Sequence, residues 1–143
     1  MAKVDYFLKL EGIDGESVDK EFARWIDITS WSWGVSNSGT THVGGGAGAG
    51  KANVSDFSFT TQFSAAAAKL FLTCATGKHI PSALITGRND RTGVFLKIKL
   101  TDVLVTSYQT GASADNMPTD SSSLNFAKIE FQDAEFDIRA NEG

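Results

Sequence analysis

Three long segments of alternating residues change the side on which their apolar residues fall, and this change limits the folds open to the chain. The clearest case is the segment 25–36, in which two isoleucines share one parity and two tryptophans share the other. Those residues are Ile26, Ile28, Trp31 and Trp33. Because strand side chains alternate with a period of two, a flat strand cannot bury both pairs on one face without a one-residue slip. We therefore predict a β-bulge or a strong bend near Thr29 and Ser30.

The same change recurs twice further along the chain. In 94–106, four apolar residues at even positions precede two at odd positions. In 124–131, two apolar residues at even positions precede two at odd positions. These residues are Val94, Leu96, Ile98, Leu100, Val103 and Val105, then Leu124, Phe126, Ile129 and Phe131. Strands that change phase in this way are typical of small barrels and sandwiches, where strands bend between packed sheets. The alternative is a set of strands buried on both faces.

The rest of the pattern predicts a mainly β fold, a two-sheet β-barrel flanked by one α-helix. Strand-like alternation is found over 4–10, 53–63, 80–88 and 135–139. The helix is predicted over Ser64–Thr76, because Ser64 is a favourable N-cap, alanines follow it and Gly77 suits the end. Its apolar stripe is Ala67, Leu70, Phe71 and Cys74. The residues 109–123 read as a polar loop.

Size and charge exclude several classes of protein. The 143 residues, 15.3 kDa in mass, suit a single domain over 1–143. A net charge of −4 argues against a nucleic-acid binder, which needs a basic surface for phosphates. No apolar run approaches the ~20 residues of a membrane span, so we expect no membrane insertion. The N-terminus lacks a cationic region followed by an apolar one, which predicts synthesis in the cytoplasm and export, if any, by another machine.

A glycine-rich loop is predicted over Asn37–Gly50. Its glycines are Gly39, Gly44, Gly45, Gly46, Gly48 and Gly50. The stretch Gly45–Lys51 matches the spacing of a phosphate-binding loop, but position 52 is alanine where that loop needs a hydroxyl for magnesium, and a strand pattern follows instead of a helix. We therefore expect no cofactor here. The loop is either an arm that reaches a neighbouring molecule or a disordered segment.

Catalytic and metal-binding groups are few. A metal site would have to be built around His42, His79 and the single cysteine, Cys74, which sits on the predicted apolar stripe of the helix. A Cys74–His79 dyad is compatible with the spacing but needs a buried side chain to become exposed. The acidic residues Asp14, Glu16 and Asp19 do not have the spacing of a helix-loop-helix calcium site. The sequence predicts a non-enzyme without a metal or cofactor.

Motifs along nearly the whole chain resemble the haemolysin-coregulated protein (Hcp) family of type VI secretion systems. They are Asp5-Tyr6-Phe7-Leu8-Lys9-Leu10, Gly12-Ile13-Asp14-Gly15-Glu16-Ser17, Ile26-Asp27-Ile28, Ser30-Trp31-Ser32-Trp33-Gly34, His42-Val43-Gly44-Gly45-Gly46, Gly50-Lys51-Ala52-Asn53-Val54, Cys74-Ala75-Thr76-Gly77-Lys78-His79, Asp102-Val103-Leu104-Val105-Thr106-Ser107 and Ser123-Leu124-Asn125-Phe126-Ala127-Lys128-Ile129. Many members have a longer segment before the last strand than the one present here.

The resemblance implies a structural protein whose fold is shared with phage tail tubes. Family members form hexameric rings that stack into a hollow tube, which a contractile sheath drives into a target cell and whose lumen can hold effectors. The implied partners are therefore copies of the chain, effectors, and sheath and spike or baseplate proteins, with residence in the cytoplasm before firing and secretion afterwards. A phage tail tube protein and a ligand-binding module on Gly45–Lys51 are the alternative functions.

Trp31 and Trp33 share a parity and are expected to anchor the core, so Ser32 between them points the other way. The resemblance places that face towards the lumen, where Ser32 would contact effectors; the alternative is an ordinary exposed strand serine. The expected assembly loop consists of His42, Gly44, Gly45, Gly46, Gly48 and Gly50.

Overall fold

A computed structural model describes residues 3–39 and 50–143 of the chain. In this part of the chain there are ten strands and one helix. The strands are β1 (Val4–Leu10), β2 (Ile26–Ile28), β3 (Ser30–Ser32), β4 (Val35–Asn37), β5 (Ala52–Val54), β6 (Phe57–Gln62), β7 (Ile80–Asn89), β8 (Gly93–Gly111), β9 (Thr119–Phe131) and β10 (Ala134–Asp137), and the helix is α1 (Ala67–Thr76). The mainly β fold with one flanking helix is confirmed.

Eight of the strands form one antiparallel sheet that curls almost into a closed barrel. Their order is β2-β1-β7-β8-β9-β6-β3, with β10 paired to β9, while β4 and β5 form a separate two-stranded sheet. The two edge strands, β2 and β3, follow one another in the chain. Only Thr29 separates them, and its N–H donates to the carbonyl oxygen of Thr60 on β6 at 2.8 Å. The same short segment therefore joins both edges of the sheet.

The predicted phase changes coincide with bends of the strands. At Thr29 the chain leaves its pairing with β1 and begins its pairing with β6, which confirms the predicted bend. On β8 the buried side changes between Leu100 and Val103, and the intervening Asp102 has a left-handed φ of 55°. On the paired strand β9 the buried side changes between Phe126 and Ile129. Both strands thus turn together, and the barrel core lies inside the bend.

The helix is shorter than predicted at its N-terminal end. It begins at Ala67 after an N-cap at Ala66, and the Ser64 hydroxyl accepts the Ala66 N–H at 3.3 Å within the preceding turn. Its end is as predicted, because Gly77 adopts a left-handed φ of 69° that glycine tolerates best. Leu70 is buried against the barrel, whereas Phe71 is exposed, so the predicted apolar stripe was wrong at Phe71.

Two other boundaries differ from the prediction. The predicted strand 53–63 is interrupted at Ser55 and Asp56, which separates β5 from β6. The predicted polar loop 109–123 was wrong at both ends, because β8 continues to Gly111 and pairs with Thr119 at the start of β9. No described helix is both long and apolar enough to cross a membrane.

Candidate functional site

A row of small hydroxyl side chains covers one face of the half-sheet β3-β6-β9-β8. The strand register places Ser32 opposite Ser58, Ser58 opposite Ser123, and Ser123 opposite Ser107. The next row contains Ser30, Thr60, Ser121 and Gln109. We call these two rows, with Thr106, the hydroxyl face. Ser32 belongs to it and is exposed, as alternation from the neighbouring tryptophans predicted.

Hydroxyl groups on this face bond largely to one another. The Thr60 hydroxyl lies 2.6 Å from the Ser30 hydroxyl and 2.7 Å from that of Thr29. The Ser123 hydroxyl lies 2.7 Å from that of Thr106 and 2.6 Å from that of Ser107. Because these five hydroxyls of the face have partners within the protein, they need no hydrogen bond from a molecule that passes over them.

The opposite side of the same half-sheet continues the barrel core and contains buried polar groups. The Tyr108 hydroxyl donates to Asp120 Oδ2 at 3.0 Å, while Asp120 Oδ1 and the Ser122 hydroxyl are buried without a hydrogen-bond partner. Burial, followed by the bond to Asp120, raises the pKa of Tyr108. Asp120 is therefore held inside and does not contribute a charge to the hydroxyl face.

Beyond the bend, the same two strands present a charged surface. Lys97 and Lys99 are exposed on β8, and Lys128 and Glu130 are partly exposed on β9. Lys128 donates to Glu135 of β10 at 2.7 Å, and this hydrogen bond raises the pKa of the lysine. The bend at Asp102 therefore separates a half of the hairpin without lysine or arginine from a charged half that contains Lys97, Lys99 and Lys128.

The hydroxyl face ends at strand edges without a neighbour in the described residues. Strand β3 pairs only with β6. Strand β7 pairs with β8 only as far as Val103, so the residues 104–111 pair with β9 alone. Each edge offers backbone donors and acceptors to another strand.

The two-stranded sheet β4-β5 marks the base of the predicted glycine arm. All three residues of β4 are exposed. The Asn37 side chain donates to the Gly50 carbonyl at 2.8 Å, and Asn141 near the C-terminus accepts the Ala52 N–H at 3.1 Å. Gly50 is buried, and a Cβ there would overlap the Ser38 hydroxyl. The base of the arm is thus fixed to the rest of the chain, and Gly50 belongs to it.

The other residues of the predicted assembly loop lie outside the described residues. They are His42, Gly44, Gly45, Gly46 and Gly48. Lys51 is followed by β5 and not by a helix, so the described chain offers no helix N-terminus to a phosphate at this point.

Trp31 and Trp33 are partly buried and pack against the core cluster. The Trp31 ring stacks on Phe57, which is fully buried, with centroids 5.8 Å apart. The Trp33 ring lies 5.6 Å from Phe131, farther out on the barrel.

The residues considered for catalysis have structural contacts. His79 Nδ1 lies 2.7 Å from Asp102 on an exposed surface, and Cys74 is partly buried on the helix. Glu16 accepts the Ala65 N–H at 2.8 Å, and Asp19 accepts two bonds from Arg88. Among the residues that the structure describes, no three ligating side chains are grouped so as to hold a metal ion.

Sequence reasoning predicted that Ser32 faces away from the tryptophans, but it missed the surface around Ser32. Its cross-strand neighbours Ser58, Thr60, Ser121 and Ser123 come from segments read as ordinary strand or as loop. One signal was available: the segments 52–68 and 104–127 contain serines and threonines but no lysine or arginine. Strand segments of this length without a lysine or arginine are unusual on a surface exposed to solvent.

In the described residues, an almost closed β-barrel with two unpaired strand edges and a hydroxyl-rich face points to a structural protein that assembles with other chains. The comparisons specify the class further. A family model described as "Type VI secretion system effector, Hcp" matches residues 7–132. The Protein hcp1 of Pseudomonas aeruginosa is 44% identical over 131 residues, covering 89% of this chain and 81% of the relative.

Solved structures agree with this match. Hcp1 from Salmonella typhimurium superposes with a TM-score of 0.83 at 33% identity and covers 99% of both chains. A type VI secretion system effector from Yersinia pestis gives a TM-score of 0.74 at 30% identity, covering 87% of this chain and 85% of that one. The chain belongs to the Hcp family, the secreted structural tube proteins of type VI secretion systems, which are not enzymes.

Proposed function

We propose that this chain assembles into hexameric rings that stack into a hollow tube, with the hydroxyl face lining the lumen. The observation that carries the proposal is the half-sheet β3-β6-β9-β8, which has a free edge on each side. If the edge of β3 in one copy meets the 104–111 edge of the next, the contact is head-to-tail and repeats until the ring closes. The small side chains then leave the interior open.

In this arrangement the other elements have distinct partners. The glycine arm reaches an adjacent subunit or ring, and the lumen holds effectors against Ser32 and its neighbours. The charged half of the β8-β9 hairpin lies away from the lumen, on the side available to sheath, spike or baseplate proteins. Secretion then occurs when the sheath drives the tube out of the cell.

The ring is tested by multi-angle light scattering and electron microscopy of the purified chain. We expect a species with six times the monomer mass of 15.3 kDa and annular particles with an open centre. The species should persist on dilution, because a closed ring loses two contacts when a subunit leaves. A monomer at every concentration would contradict the proposal.

A further inference from the structure

The parts of the chain that form the hydroxyl face contain acidic residues but no lysine or arginine, because the lysines of β8 and β9 lie beyond the bend. The segments 30–39, 52–68 and 104–127 contain Asp56, Asp115 and Asp120 but no lysine or arginine. Asp120 points into the barrel, and Asp115 lies in the exposed turn between β8 and β9. Asp56, two residues before Ser58, has the parity of the hydroxyl face and is only partly buried.

The Asp56 carboxylate is oriented by neutral groups. Its Oδ2 accepts the Thr106 hydroxyl at 2.7 Å, and its Oδ1 accepts the Asn125 side-chain amide at 3.0 Å. Thr106 in turn bonds to Ser123 in the middle of the hydroxyl face. In the described part of the chain no lysine, arginine or histidine forms an ion pair with Asp56. The carboxylate is thus fixed in place with its charge uncompensated.

We infer that Asp56 makes the hydroxyl face selective for polypeptides with a basic, lysine- and arginine-rich contact surface. The inference rests on the proposed ring, which would place six copies of Asp56 in one circle around the lumen. Charges of one sign around a concave space with low-dielectric protein walls reinforce one another and raise the local concentration of opposite charge. Because the other side chains of the hydroxyl face are uncharged, this charge is the main feature by which the wall distinguishes a basic protein surface from an acidic one.

The lumenal potential is measured with charged thiol reagents. Ser58→Cys in a Cys74→Ser background places one thiol beside Asp56. Two methanethiosulfonate reagents then modify this thiol, one with a cationic trimethylammonium-ethyl group and one with an anionic sulfonatoethyl group. The rates of the two reactions are compared. We expect Asp56→Asn to lower the ratio of the cationic to the anionic rate by roughly three- to tenfold at low salt. High salt should remove the difference.

Asp133→Asn is the matched control, because Asp133 is an exposed aspartate in the turn between β9 and β10, away from the hydroxyl face. It should leave the ratio unchanged. Asp56→Asn keeps an oxygen that can accept the Thr106 hydroxyl, and the ring mass is checked for every variant. If the ring forms and Asp56→Asn leaves the ratio of the two rates unchanged, the inference is overturned but the proposed function is not. The absence of a ring overturns the proposed function, and the inference with it.

A pair of proteins with one fold and opposite charge then tests the partner class. Lysozyme is basic and α-lactalbumin is acidic, so retention of each by rings can be compared on a sizing column at low salt. We expect lysozyme to be retained, and Asp56→Asn to reduce its retention several-fold while Asp133→Asn does not. Equal retention of both proteins, or equal effects of the two substitutions, contradicts selection by Asp56.

Discussion

Arg88 fixes the long turn-rich segment 11–25 to the outside of the barrel. Its guanidinium carbon lies 5.3 Å from the ring centres of both Phe7 and Phe22, which stack on each other at 4.6 Å. Its two terminal nitrogens donate to Asp19 at 2.6 and 2.9 Å. Both aromatic rings are buried. In this small cluster on the outer face of β1 and β7, the planar guanidinium contacts both rings and donates to one carboxylate.

The Asp19–Arg88 pair gives the protein an acid-sensitive contribution to stability. The hydrogen bonds from Arg88 lower the pKa of Asp19 from 3.8 to about 2. Because the folded-state pKa is the lower one, the stabilisation is complete above the unfolded value and disappears as the pH falls from about 4 to about 2. We expect Asp19→Asn to lower the thermal unfolding midpoint at neutral pH, and the difference from the native chain to vanish at the acid end of that range.

Glu21→Gln is the control for this measurement, because Glu21 is 62% exposed and its carboxylate lies 3.6 Å from Arg88. Exposed ion pairs contribute little. A loss of stability as large as that of Asp19→Asn, or a difference for Asp19→Asn that does not depend on pH, would contradict the assignment.

The β8-β9 hairpin shows which parts of the fold were readable from the sequence. Its bend was predictable, because Leu100 and Val103 are apolar on opposite parities and both must be buried. The tip of the hairpin was not predictable, because from Gln109 onward polar residues occupy both faces of the strand and no apolar alternation remains. Pairing there is stabilised by the backbone ladder, which leaves no period-two hydropathy signal. Ser121 of the hydroxyl face was missed for the same reason, whereas Ser58 and Thr60 lie on a predicted strand whose neighbours in the sheet the sequence does not reveal.

The glycine arm is an element whose role can be separated from folding. Deleting Gly44–Gly48 shortens the connection between β4 and β5, and loop length affects stability only weakly, so the free energy of unfolding should change by less than about 1 kcal/mol. We expect rings to form but to stack poorly. Thermal unfolding and counting of stacked rings by electron microscopy measure the two effects.

A variant with Gly44–Gly48 replaced by five serines keeps the length of the arm and serves as its control. If the deletion yields an unfolded chain, the loop is structural. If single rings and stacks are both unchanged, the arm has no part in stacking.

At the scale of the whole molecule, one pair of strands supplies two different surfaces. The bend at Asp102 turns β8 and β9 together, so that the half near Lys97 and Lys128 contains lysines and the half near Thr106 and Ser123 contains none. A ring built through the free edges of the half without lysines would put the small hydroxyls and Asp56 inside and the lysines outside. Such a division allows cargo to move along the wall while solubility and external contacts depend on the other half.

The size of the side chain at position 32 tests this division. Ser32 is exposed and lies opposite Ser58, so Ser32→Gln adds a longer side chain to the face without disturbing the core. In a ring, six such side chains would narrow the lumen together. We expect the ring mass and the thermal midpoint to be unchanged, and proteins that co-purify with the ring, identified by mass spectrometry, to be lost. Leu72→Gln, on the exposed side of α1, should retain them. If Leu72→Gln loses the cargo and Ser32→Gln keeps it, cargo binds outside the ring and the hydroxyl face does not line its path.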